Sequence, residues 1–240
     1  MSLSKNQLKL ITSLQQKKYR TSNNLFITEG TKVVKEYLDS NFELEQLFCV
    51  DNSGYENIEN VIQISEVELK KISCLKTPNN VLALFKIPSE QPIIKEGLIL
   101  ALDEINDPGN LGTIIRLCDW FGVEQLICSK NTVDCYNSKV VQASMGSLTR
   151  VSIVYTYLGT YLQSVDLPKY ATMMDGESVY KSLLPKNAIL VMGNEANGIS
   201  AEILKLLTKS ISIPRFGNLQ QTESLNVATA TAILLSEFKR

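Results

Sequence analysis

The 240-residue chain contains no histidine. That excludes a histidine-ligated zinc site, a serine-histidine-aspartate triad and an imidazole general base within this chain. Its five cysteines, at 49, 74, 118, 128 and 135, form no CxxC pair and no regular spacing, which suits free thiols in a reducing compartment. Both common nucleotide motifs are missing, the GxGxxG fingerprint and the GxxxxGK[ST] phosphate loop. No stretch approaches about 18 apolar residues, and the start, MSLSKNQLKLITSLQQKKYR, lacks the continuous apolar core of a secretory signal. A cytoplasmic protein without a membrane span and without a metal is expected. Neither sign of charge dominates: 24 basic against 25 acidic residues give a net charge of -1. A basic-tail protein is thereby excluded, while a local basic patch is not.

What is present is a chain with 44% hydrophobic residues, long enough for one or two cores. Folding can bury roughly 70% of its extended surface, so no staple is needed. Residues 5 to 19 carry Leu8, Ile11 and Leu14 at helical spacing. Through residue 20 the same segment holds Lys5, Lys9, Lys17, Lys18 and Arg20 and no acid, either an RNA-facing surface or an ordinary solvated face. Strands are expected at 25–27, 44–50, 61–64 and 81–85, with helices at 31–38 and 66–75. Together they make a small alternating α/β unit over residues 1–90. KIPSEQPIIKEG, residues 86–97, has two prolines and four charges and suits a linker, placed at 91–97.

From residue 98 the pattern changes to continuous apolar runs, the type buried in parallel sheets, at 98–102, 125–128, 151–155, 188–192 and 211–213. Helical patterns separate them. The alternation predicts an α/β domain over 98–240 with a mostly parallel sheet covered on both faces, and with ligands beyond the carboxyl ends of its strands.

Three strand-end segments carry polar residues of interest. In LALDEINDPGNLGTIIRLCDWFG, residues 99–122, Asn110 and Arg116 follow a turn-rich DPGN; Asn110 could cap the helix and Arg116 could be a surface or ion-pair residue. In AILVMGNEANGIS, residues 188–200, Gly193 and Gly198 flank Glu195, and a structural turn is the plain alternative. In SISIPRFGNLQQTESLNVATATAILLSEF, residues 210–238, Ser224 and Asn226 precede an apolar helix that either could cap.

In combination, N110-x5-R116, G193-x-E195-xx-G198 and S224-L-N226-V resemble the three ordered motifs of the SpoU/TrmH-type RNA ribose methyltransferases of the SPOUT superfamily. FITEGTKVVKEYL, residues 26–38, resembles that family's accessory substrate-binding domain. The resemblance implies a deep trefoil knot built from the loops around 193–198 and 213–226, a homodimer with its active site close to the subunit interface, and S-adenosylmethionine as cofactor. It also implies transfer of a methyl group to a ribose 2'-hydroxyl in rRNA or tRNA. Residue by residue, Arg116 matches the arginine acting on the 2'-hydroxyl, Asn110 its polar support and Glu195 the acid of the second motif. Ser224 and Asn226 match polar positions of the third. Met192, Gly193, Asn194, Gly198, Ile213, Leu225 and Asn226 match the cofactor-binding positions, and Lys17, Lys18 and Arg20 are the RNA-binding candidates. Because an arginine side chain keeps its proton at neutral pH, Arg116 is read as positioning and charge-stabilising, with literal base action left open. The sequence departs from the family pattern at Gln142, where many relatives have arginine, at Arg215, where methionine is frequent, and at Ala228, where a second serine is common.

Two other function classes compete. One is an RNA-binding protein that keeps the methyltransferase fold without activity, against which the retained Asn110, Arg116 and Glu195 argue. The other is a nicotinamide dehydrogenase, which needs a glycine-rich turn where this chain has DEINDPGNLG.

Overall fold

The computed structural model describes residues 3–219 and 224–240. The chain divides into two compact units, residues 1–89 with 134–149 and residues 90–133 with 150–240.

In the first unit, α1 (Lys5–Ser13) starts at a capping box: the Ser4 hydroxyl accepts from the Gln7 N–H, and the Gln7 side chain accepts from the Ser4 N–H. The helix expected over 5–19 is in fact broken, because Leu14 ends α1 and Gln16 is extended before α2 (Lys17–Asn23). Arg20 explains how the break is tolerated. Its guanidinium donates to the Leu14 and Gln15 carbonyls at 2.8 and 3.0 Å and, through Nε at 3.0 Å, to the Asp134 carboxylate. The freed carbonyls are thus satisfied by a side chain that a continuous helix would have carried elsewhere.

Strands β1 (Leu25–Glu29), β2 (Leu44–Cys49), β3 (Val61–Gln63) and β4 (Val81–Lys86) form a sheet in the order β1-β4-β2-β3, antiparallel around β4 and parallel between β2 and β3. Helices α3 (Thr31–Leu38) and α4 (Glu66–Ile72) complete this stretch. Ile11 and Leu14 pack with Leu25, Phe48, Leu69, Leu82 and Leu84 in one core. Residues 134–149 contribute a helix and a 3-10 turn at Ser147–Thr149, and Tyr136 packs on Phe26 with ring centroids 4.7 Å apart.

The second unit is a six-stranded sheet. Its first elements are β5 (Leu98–Leu102), α5 (Pro108–Phe121) and β6 (Gln125–Ser129); helix α6 (Ser138–Ser144) is the one that joins the first unit. The chain returns through β7 (Ser152–Thr156), α7 (Leu158–Ser164), β8 (Lys169–Ser178), β9 (Ala188–Met192), α8 (Ala201–Leu204), β10 (Lys209–Ser212) and α9 (Val227–Lys239). The order is β10-β8-β9-β5-β6-β7, and every pairing among the described residues is parallel. One face carries Ile99, Ala101, Ile127, Ile189 and Val191 against α7 and α8. On the helices α5 and α9, which pack together, Leu111, Ile114, Ile115, Leu234, Leu235 and Phe238 are buried.

Strand β8 had no expectation in the sequence. It pairs with β9 only over Lys169–Ala171 and with β10 in two short stretches separated by a register shift. Gly176 permits the second stretch, since a Cβ there would lie 2.6 Å from the Ile211 carbonyl carbon. Among the described residues no helix is long and apolar enough to cross a membrane, and no group of His, Cys, Asp or Glu could hold a metal. All five cysteines are free, and burial pushes the Cys118 thiol up to about 12 and Cys74 up to about 11.

The expectation that Arg20 faces RNA is corrected here. Its side chain is only 4% exposed and its charge is spent on Asp134. Removing one partner of such a pair leaves the other buried and unpaired. Arg20→Ala is therefore expected to lower stability by about 3–5 kcal/mol. Urea unfolding of the intact chain measures this, and an unchanged midpoint and slope would contradict the structural role.

Candidate active site

Strand order brings the loops together. β5 lies between β9 and β6, so the chain leaves β5 in one direction and returns at β9 on the other side. The loops after β5 and β9 consequently flank the topological switch point of the sheet, where open parallel sheets take their ligands. Asp103 locks the two strand ends: its N–H donates to the Met192 carbonyl at 2.9 Å, and its buried carboxylate accepts from the Ser200 N–H at 2.8 Å. Asp107 caps α5, accepting from the Asn110 N–H at 2.8 Å, with Pro108 in the first turn where its missing N–H is harmless. Asn110 is therefore not the cap itself but the third residue of the helix.

The loop 193–198 is a closed turn in which Asn194 and Gly198 exchange both backbone hydrogen bonds at 2.9 Å. The Asn194 Oδ1 accepts from the Ala196 and Asn197 N–H groups, and its Nδ2 donates to the Glu104 carbonyl at 2.7 Å. Gly198 has φ +69°, and a Cβ on Gly193 would lie 2.3 Å from the Gly198 carbonyl carbon. Both glycines are thus demanded by the turn. It presents Glu195 to solvent at its tip.

A chain of three side-chain amides and carboxylates then crosses the three segments. Asn226 caps α9, its Oδ1 accepting from the Ala228 and Thr229 N–H groups at 3.0 and 3.2 Å. Those donors dictate which end of the Asn226 amide is oxygen, so Nδ2 points outward and donates to Asn110 Oδ1 at 2.9 Å. Asn110 is oriented in turn, and its Nδ2 donates to Glu195 Oε1 at 2.7 Å. The orientation of each group follows from a backbone helix end, without any choice left to the side chains. Asn226 is accordingly both the cap and a member of the site, two alternatives the sequence left open.

These groups line an open cleft of about 710 Å³ with Asn106, Asp107, Asn194 and Asn197. Its lining carries two carboxylates, Asp107 and Glu195, and no base. Of the other candidates, Met192 is buried at the end of β9, Ile213 is half-buried just past β10, and Leu225 is exposed beside Asn226. Ser224 is exposed and makes no hydrogen bond among the described residues. Arg116 is exposed on α5, does not line the cleft and has no polar partner among the described residues. Six residues beyond Asn110, it sits roughly 240° around the helix axis from it. The structure thus brings Asn110, Asn194, Glu195 and Asn226 together and leaves Arg116 apart. Segment 220–223, part of the expected knot loop 213–226, lies outside the described residues. Asp103 and Glu104 were not expected in the sequence; their only signal is an acidic pair directly after a continuous apolar strand.

The departures from the family pattern are also located. Ala228 is buried and donates its N–H to the Asn226 cap, Gln142 lies half-buried on α6, and an Arg215 nitrogen approaches the Met174 sulfur at 3.9 Å.

The model of the SpoU rRNA Methylase family matches residues 97–236, and that of the MRM3-like substrate binding domain matches residues 5–83. The chain belongs to the SpoU/TrmH family. It is 31% identical to the 23S rRNA (guanosine(2553)-2'-O)-methyltransferase RlmP of Bacillus subtilis, over 92% of this chain and 91% of that one. A TrmH-family protein from Porphyromonas gingivalis is 38% identical with TM-score 0.88, covering 98% of each chain. The AdoMet-bound rRNA methyltransferase of Sinorhizobium meliloti is 28% identical with TM-score 0.87, covering 100% of this chain and 97% of that one.

SpoU/TrmH proteins are SPOUT-superfamily RNA 2'-O-methyltransferases that use S-adenosylmethionine, and the parallel sheet following a small substrate-binding unit is their fold, consistent with a trefoil knot. The cleft fits that cofactor on chemical grounds. Two carboxylates without a base suit a molecule whose reactive end is a cationic sulfonium.

The relay predicts an outcome for Asn226→Asp. Aspartate caps a helix as well as asparagine does, but the replacement removes the Nδ2 donor to Asn110. Thermal melting should stay close to wild type while methyl transfer falls by about a hundredfold, as for a misplaced catalytic group. Undiminished single-turnover methylation would show that the relay does not order the site.

Proposed function

We propose that the chain methylates the ribose 2'-oxygen of a guanosine in large-subunit ribosomal RNA. Methylation of structured RNA ribose with S-adenosylmethionine is the family's activity; the choice of rRNA and guanosine is supported by the near full-length similarity to RlmP. The observation that carries the catalytic reading is the Asn226-Asn110-Glu195 relay, because three segments distant in sequence converge on one strand-end cleft.

When bound, S-adenosylmethionine supplies a methyl group already activated on sulfonium. The chain's own residues bind, orient and hold charge. Met192, Gly193, Asn194, Gly198, Ile213, Leu225 and Asn226 hold the cofactor, with Asn194 also fixing the turn. Asn226 orients Asn110, Asn110 orients Glu195, and Ser224 adds a hydroxyl at the rim. Arg116 positions the 2'-oxygen and stabilises the negative charge that develops there. No nucleophilic side chain and no histidine is needed, since the reaction is an in-line displacement between two bound substrates.

Residues 1–90 form the RNA substrate-binding domain, joined through 91–97 to the methyltransferase domain at 98–240, with Lys17 and Lys18, both exposed on α2, as RNA contacts. The protein works in the cytoplasm as a homodimer. Trp120 on α5 supports the dimer, being 83% exposed, as does the separation of Arg116 from the cleft of its own chain. Sedimentation at the 26.8 kDa of a single chain would reject it.

Ribose-methylation mapping of RNA from cells lacking the gene tests the substrate. One guanosine of the large-subunit rRNA should lose its 2'-O-methyl group, regain it with the wild-type gene and fail to regain it with Arg116→Ala. Loss confined to tRNA would refute the substrate, and full restoration by Arg116→Ala would refute the role of the arginine.

A further inference from the structure

The break between α1 and α2 creates a second concavity, far in sequence from the catalytic loops. It is an open groove of about 520 Å³ lined chiefly by Asn6, Lys9, Thr12, Gln16, Tyr19 and Asn23. A space of this size falls in the range of small-ligand sites. Its chemistry is unusual for a solvated helix pair. The Thr12 hydroxyl is committed to the Leu8 carbonyl at 2.8 Å, but the side-chain amides of Asn6 and Gln16 have no hydrogen-bond partner among the described residues. A primary amide offers a donor and an acceptor side by side, the pattern of a nucleobase edge. Tyr19 is exposed, and the Lys18 ammonium lies 4.6 Å from its ring centroid, over one face.

The two helices that form the groove carry charged side chains of one sign. No acidic residue precedes Glu29, while Lys5, Lys9, Lys17 and Lys18 are exposed. Arg20, which the sequence pattern groups with them, is neutralised by Asp134 and does not contribute. Amides free to pair, an exposed ring and surrounding ammonium groups are the elements with which proteins take single-stranded nucleic acid. A protein partner would instead be met by an apolar centre, and this lining has little beyond Leu10.

We propose that the groove between α1 and α2 binds an unpaired nucleotide of the RNA substrate, with Tyr19 stacking on the base, Asn6 and Gln16 pairing with its edge and Lys9 and Lys18 meeting the flanking phosphates. This rests on the RNA-methyltransferase reading and adds the class of RNA element the first unit selects. A base splayed from a loop can enter such a groove. A base held within an A-form duplex cannot, because its faces are stacked on neighbouring bases and its Watson–Crick edge is already paired.

The test uses the intact protein and a fluorescent RNA of about twelve nucleotides, as a single strand and as the corresponding duplex. Wild type should bind the single strand more tightly than the duplex. Tyr19→Ala should weaken single-strand binding by about fivefold or more, the range of lost base-aromatic stacking. Tyr19→Phe, which keeps the ring, should remain within about twofold of wild type. S-adenosylmethionine binding and the melting temperature should not change in either variant. Unaltered single-strand affinity in Tyr19→Ala, or an equal loss for the duplex, would overturn the groove proposal while leaving the wild-type methylation assay intact. Absence of RNA methylation by wild type would overturn the functional reading and this inference with it.

Discussion

A helix has unsatisfied N–H groups at its start, and in α9 they are satisfied by Asn226. That requirement propagates. Once Oδ1 is held by two backbone donors, Nδ2 can only donate, so Asn110 must present its oxygen to Asn226 and its nitrogen to Glu195. A carboxylate at the tip of a solvent-exposed turn thereby acquires a fixed position from a helix whose other end is anchored by Leu234, Leu235 and Phe238 in the core. Orientation at the site and packing of the last helix are two expressions of the same constraint, and neither depends on a titrating imidazole.

Sheet order supplies the second condition. β5 and β9 are neighbours although about ninety residues of sequence separate them, with register from Leu98↔Ala188 to Leu102↔Met192. Asp103 ties the strand ends, so the loop leading into the helix that bears Asn110 and the turn bearing Glu195 begin from adjacent points. The resulting cleft is acidic in its lining, and the surface of α1 and α2 is basic. A chain with nearly balanced total charge thus carries opposite local fields, one suited to a sulfonium and one to phosphates.

Much of this was legible in the sequence, for identifiable reasons. Strands buried on both faces, such as β5 and β9, are continuous apolar runs and were expected at the same bounds. The three polar segments could be placed at strand ends because glycine, proline and asparagine punctuate them. β8 was invisible because its second half, MDGES, runs past β9 and holds to β10 only where Gly176 allows contact. The split of α1 from α2 had no signal either, since Leu14, Gln15 and Gln16 are all compatible with helix; the break is stabilised by Arg20 and by Asp134, more than a hundred residues away. Arg20 and Lys18 look alike in a charge run, and only burial separates a structural guanidinium from a solvated ammonium. Arg116 was legible as a motif residue, but its helical phase relative to Asn110 already placed the two on different faces.

The excursion 134–149 has a consequence for how the protein is made. These residues belong to the first unit but are encoded after β5 and β6 of the second. A nascent chain leaving the ribosome exposes its first 89 residues long before Asp134 and Tyr136 arrive to neutralise Arg20 and cover Phe26. The amino-terminal unit therefore reaches its final state only when part of its neighbour has already been translated. That unit is thus encoded in two separate stretches of the gene.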